Sequence, residues 1–132
     1  MTVDFWLYNM CNSQDVLLLD NDILLKRDID FIDESSAVVS DIEPPWKPNG
    51  LLATYRFYPF IQYLNAGKLK EMGIHYFDPY RILHGKANPQ NRRLYDTGGS
   101  FFEDVVESKI AFKRIVYEDY IFHFCGGSWN AS

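Results

Sequence analysis

Hydrophobic positions along the chain fall in short blocks separated by polar breaks. Residues 3–11 read as a short aromatic helix, stopped by Asn12, Ser13 and Gln14. Asp15 then leads into four consecutive apolar residues, Val16, Leu17, Leu18 and Leu19. That pattern predicts a strand buried on both faces, as in parallel sheets covered by helices. Residues 23–26 continue extended, 28–32 form a helical turn, and 37–42 make another short strand. Pro44, Pro45 and Pro48 then forbid regular structure across 43–50, because proline lacks the backbone donor and fixes its own φ.

Residues 57–64 read as a strand interrupted at Pro59, followed by a turn at Asn65, Ala66 and Gly67. The next helix runs through Lys70 and Met72 to a stop at Gly73. Residues 81–93 are polar and aperiodic, a loop of the length associated with function or disorder. Ser100 is expected to cap a helix, with Glu103 completing a capping box and Phe101, Val105 and Val106 forming its apolar face. Two last strands, 113–116 and 120–124, precede a glycine-containing tail.

Composition narrows the class. The chain has 132 residues, 47% hydrophobic and 17% aromatic, enough for one compact domain spanning 1–132 with a substantial core. Thirteen basic against 18 acidic residues give a net charge of -5, which lacks the footprint of a nucleic-acid binder. Cys11 and Cys125 are too few for a disulfide framework and read as free thiols in a reducing compartment. No basic region followed by an apolar core marks a signal peptide, and residues 16–19 fall far short of the roughly 20 a membrane helix needs. A cytoplasmic location is expected.

Candidate chemistry centres on Asp20-Asn21-Asp22. The two carboxylates follow an apolar strand, where open α/β sheets hold ligands, and they converge on one cation if the backbone turns there. Such hard oxygen donors suit magnesium or manganese. The competing reading is a plain turn, since Asp and Asn also end strands for that reason. His123 alternates with Phe122 and Phe124 and, taken alone, reads as a hydrogen-bonded core histidine. Trp46 and Trp129 stack on sugar faces or simply pack, and His75 and His84 have no evident metal-ligand partner.

Leu17-Leu18-Leu19-Asp20-Asn21-Asp22-Ile23-Leu24 resembles the DxD segment of GT-A glycosyltransferases, glycogenin-like and bacterial lipopolysaccharide enzymes included. Three further segments follow in the family's order. The segment from Phe60 to Gly67, ending Tyr63-Leu64-Asn65-Ala66-Gly67, resembles the strand-to-helix turn near the donor sugar, which implies donor contacts for Asn65 and Gly67. Tyr95-Asp96-Thr97-Gly98-Gly99-Ser100-Phe101-Phe102-Glu103-Asp104 resembles the acceptor-side segment of bacterial members. His123-Phe124-Cys125-Gly126-Gly127 resembles the C-terminal segment whose histidine is the metal's third protein ligand.

The resemblance implies an α/β fold, an incomplete Rossmann-like GT-A mixed sheet lacking the N-terminal nucleotide-binding strands. It implies Asp20, Asp22 and His123 as ligands of Mn2+ or Mg2+, the imidazole favouring manganese. Gly126 and Gly127 would bring backbone N–H groups to the donor diphosphate, and Asp96 would bind acceptor hydroxyls or form a turn. Glu103 or Asp104 would take the acceptor proton, with helix capping the other role for Glu103. The substrates implied are a nucleotide sugar and a glycan or lipid-linked acceptor, at or near the inner face of a membrane.

Two other readings stand beside this one. The octet around Asp20 also fits a haloacid-dehalogenase-type phosphatase with Asp20 as nucleophile, although Ile23-Leu24 occupies the place of that family's Gly-Thr. Alternatively the chain is a noncatalytic sugar-binding or structural remnant. Only residues 1–15 precede the DxD strand, where the family carries its base- and ribose-binding units, so the resemblance spans only the later half of the fold. A fragment, a completing chain or a homo-oligomer is expected, because a sheet lacking its first strands exposes an edge.

Overall fold

A computed structural model of the chain describes residues 2–45, 52–53, 55–84, 93–94 and 98–124. These residues form a mixed α/β structure. Strands β1 (Asp15–Leu19), β3 (Val38–Glu43), β5 (Arg56–Asn65) and β7 (Phe112–Arg114) make a four-stranded sheet in the order β1-β5-β3-β7. Within this sheet β3 and β7 pair parallel, and β5 is antiparallel to both β1 and β3. A separate antiparallel ribbon joins β2 (Ile23–Leu25) to β8 (Ile121–His123). A short parallel pair links β4 (Leu52–Ala53) to β6 (Arg93–Leu94).

Alternating side chains of the central strands divide the core in two. Val38, Phe57 and Leu64 face one side, where Leu7 of helix α1 (Val3–Asn9), Leu69 of α2 (Ala66–Glu71) and Phe101 and Val105 of α4 (Gly99–Glu107) cover them. Val39, Ile61 and Tyr63 face the other side, beneath Phe31 and Ile121. Burial of these side chains, at about 1.5–3 kcal/mol each, is the main term holding the sheet between its covers.

Several sequence expectations change here. The apolar run at β1 is an edge strand, not one buried on both faces: Leu17 and Leu19 remain 37% and 44% exposed because the cover on their side stops short of β1. The doubly buried strands are β3 and β5. Pro59 does not interrupt β5. The β3–β5 register shifts between Ser40 and Ile42, and Pro59 sits in that irregularity, where no β3 partner needs its missing N–H. The Tyr58 carbonyl there accepts from Ser40 Oγ and Gln62 Nε2 instead.

Residues 28–32 are not helical; Tyr120 Oη and Arg27 bond the Asp30 carboxylate and hold the segment against β8. Residues 81–84 are the end of helix α3 (Pro79–His84) rather than loop. Helix α4 begins earlier than the Ser100 capping box proposed: Gly98 is the N-cap at φ 86, and Ser100 lies buried inside the helix. Added carbon at Gly98 would also meet the Phe57 carbonyl at 3.2 Å, so both backbone angle and space call for glycine.

Candidate metal centre

The triplet Asp20-Asn21-Asp22 is the turn by which the chain leaves the large sheet for the ribbon. The Asp20 N–H donates to the Phe60 carbonyl at 2.9 Å, the last bond on the β5 side. The Asn21 N–H turns back onto Asp20 Oδ1 at 2.9 Å, as Asp does in tight turns. The Asp22 carbonyl then accepts from the Phe124 N–H at 2.9 Å, and Ile23 pairs with His123. The ribbon register therefore fixes His123 directly beside the carboxylates, although about 100 residues separate them along the chain.

The resulting geometry is compact. His123 Nε2 lies 3.1 Å from Asp22 Oδ1 and 3.6 Å from Asp20 Oδ2. One ligand-type atom from each of the three residues lies within 4.8 Å of the other two. Side-chain exposure falls from 36% at Asp20 to 19% at Asp22 and 7% at His123, so the group opens to solvent through Asp20. The imidazole stacks on the Phe60 ring, with centroids 3.7 Å apart and planes 21° apart.

One atom tests whether a cation fits. Asp22 Oδ1 is buried and accepts no hydrogen bond from the described residues, although His123 Nε2 stands 3.1 Å away. A buried carboxylate oxygen without a donor is costly, and an ion is one of the few explanations for it. Two carboxylates and one imidazole make a donor set that suits manganese and related divalent ions. The residues present fit the group.

The other sequence candidates lie elsewhere. Asn65 pairs with Asp15, at the far end of the β1–β5 ladder from the triplet. It is buried, its Oδ1 caps α2 through the Lys68 N–H at 3.1 Å, and its Nδ2 donates to the Glu34 carbonyl at 3.0 Å. Gly67 sits in the first turn of that helix, beside the Gln14 side chain. Asp104 on α4 is clamped by Arg81, whose Nη1 and Nη2 reach its two oxygens at 3.0 and 2.6 Å. Glu103 lies 3.9 Å from the same guanidinium, which also bonds Asp78. Asp96, Gly126, Gly127, Trp46, Trp129 and Cys125 lie outside the described residues; Cys11 is a buried free thiol.

His75, for which the sequence shows no evident metal-ligand partner, bonds Asp4 through Nδ1 at 2.9 Å and stacks on Tyr8. Phe60 and Arg81 are the residues sequence reasoning missed. Phe60 stands at the head of the segment resembling the strand-to-helix turn, which assigns it no role, and the Asp78 to Arg81 spacing at a helix start was the only hint of the second. No helix among the described residues is long and apolar enough to cross a membrane. Comparison with protein-family models, with curated proteins and with solved structures finds no match for this chain.

Proposed function

We propose that Asp20, Asp22 and His123 hold a divalent cation, and that the chain is the metal-binding, acceptor-side part of a GT-A glycosyltransferase. The observation that carries this reading is the meeting of the three side chains around Asp22 Oδ1, a buried oxygen to which no described residue donates. In this reading the four-stranded sheet and its ribbon are the later half of the GT-A fold, and sugar passes from a nucleotide sugar to a glycan or lipid-linked acceptor.

A bound manganese or magnesium ion would act as Lewis acid on the donor diphosphate and offset charge on the leaving nucleoside diphosphate. The residues themselves have separable tasks. Asp22 and His123 supply the buried side of the site, and the more exposed Asp20 faces the direction from which a diphosphate enters. Asp104 has both oxygens engaged by Arg81, so it serves as proton acceptor only after that clamp opens. As folded, the clamp joins α3 to α4.

The test is manganese-dependent binding of a panel of nucleoside diphosphates by the native chain, Asp22→Ala and His123→Ala. Binding that needs the metal and is lost in both variants supports the reading. Nucleotide-sugar turnover is then followed beside hydrolysis of a generic phosphoester. Phosphoester hydrolysis without nucleoside diphosphate release would overturn the transferase assignment and favour a phosphatase with Asp20 as nucleophile.

A further inference from the structure

We infer that Phe60 is the positioning residue of the Asp20, Asp22 and His123 site, setting one ligand through its backbone and another through its ring. This rests on the metal reading above. Phe60 touches both arms of the centre. Its carbonyl accepts the Asp20 N–H at 2.9 Å and pins the start of the triplet to β5. Its ring lies against the His123 imidazole at 3.7 Å and 21°, so the imidazole cannot swing toward the sheet without losing the stack.

The ring is itself wedged in place. Tyr58 stacks on it at 5.2 Å, and Tyr117 meets it edge-on at 5.3 Å. The irregularity around Pro59 sets this arrangement, because it takes Tyr58 and Phe60 out of the β3 register while β5 continues on to pair with β1. Metal-ligating histidines are commonly oriented by a hydrogen bond at the second ring nitrogen, and losing such support costs about 10–100-fold in metal affinity. Here the Phe60 ring face supplies an orienting contact of its own to the imidazole.

Side-chain replacement removes the ring but leaves the carbonyl, which separates the two contributions. Manganese affinity is measured by titration for the native chain, Phe60→Leu, Phe60→Tyr and Tyr58→Leu. The expected result is a dissociation constant raised about 10–100-fold in Phe60→Leu. Phe60→Tyr, which restores an aromatic face, should remain close to native, and Tyr58→Leu, which unwedges one side of the ring but leaves its stack on His123, should lose clearly less than Phe60→Leu. A second readout needs no metal: the carbon-bound imidazole protons of His123 are shifted upfield by the Phe60 ring in the native chain and move toward free-histidine positions in Phe60→Leu.

Native-like His123 shifts in a folded Phe60→Leu chain would overturn the inference, as would native manganese affinity in that variant or an equal loss in Tyr58→Leu. Should the native chain bind no manganese, the proposed function falls, and the imidazole shifts alone decide whether Phe60 orients His123.

Discussion

Replacing Asp22 by asparagine separates a cation site from an ordinary ion pair, because the two arrangements predict opposite signs. Asp22 Oδ1 is buried 3.1 Å from His123 Nε2, and the two side chains are only 19% and 7% exposed. If an ion pair of His123 with Asp22 held the ribbon to the turn, Asp22→Asn would leave His123 only the more exposed Asp20 at 3.6 Å, at a cost of about 1–3 kcal/mol. For a chain of this size each kcal/mol is about 4 °C in melting temperature, so the variant would melt roughly 4–12 °C lower, with or without metal. In a metal centre kept in chelator, the same change removes one of two crowded carboxylates and supplies an amide donor for the imidazole. Melting then stays level or rises by the equivalent of about 1 kcal/mol.

Manganese reverses the order. At a hundredfold excess over the dissociation constant it stabilises the native chain by about 2.7 kcal/mol, roughly 10 °C, and Asp22→Asn by much less. Melting followed by circular dichroism, in chelator and across a manganese titration, reads both arms. A large loss for Asp22→Asn in chelator, together with no manganese shift for the native chain, would refute the reasoning.

Three further outcomes follow from the fold. Gly98→Ala forces a side-chain residue to φ 86 against the Phe57 carbonyl and should cost about 1–2 kcal/mol in urea unfolding. Asp104→Asn loosens the bidentate, largely buried Arg81 clamp and should cost about 1–2 kcal/mol by the same assay; no loss would show that the α3–α4 contact does not depend on it. Burial pushes the Tyr76 hydroxyl up to about 12, against the opposing hydrogen bond to Gln62, so this group favours folding fully below pH 10 and progressively less as pH rises toward 12. Tyr76→Phe should therefore flatten the alkaline fall in stability by up to about 1.4 kcal/mol per pH unit, measured by urea melts from pH 9 to 12.

Much of the element order was legible in local chemistry. The breaks at Asn12 to Gln14, the α2 stop at Gly73 and the strand blocks around β1, β3 and β5 follow from residues that obey short-range rules. Strand environment did not, because four consecutive apolar residues look the same at an edge as in the middle of a sheet, and only the arrangement of covers tells them apart. Pro59 misled because the register shift that accommodates it belongs to β3 as much as to β5. Ser100 met the capping rule, yet the left-handed backbone at Gly98 began the helix two residues earlier. The candidate centre was legible in its residue types, but the adjacency of His123 to Asp20 and Asp22 depends on the β2–β8 register, which no local pattern encodes. Asp104 looked available in the sequence since its partner Arg81 comes from a separate helix.

The long separation between the triplet and His123 has a consequence for the unfolded chain. On the proposed reading, an ion shared by Asp22 and His123 is a reversible cross-link closing a loop of about 100 residues. A covalent tie of that span removes chain entropy equivalent to about 4.7 kcal/mol. Only a share of that would accrue to a labile ion, but it would appear chiefly as slower release of β8. Manganese would then govern how long the Asp20–Asp22 turn and β8 stay together, whether or not a substrate is bound.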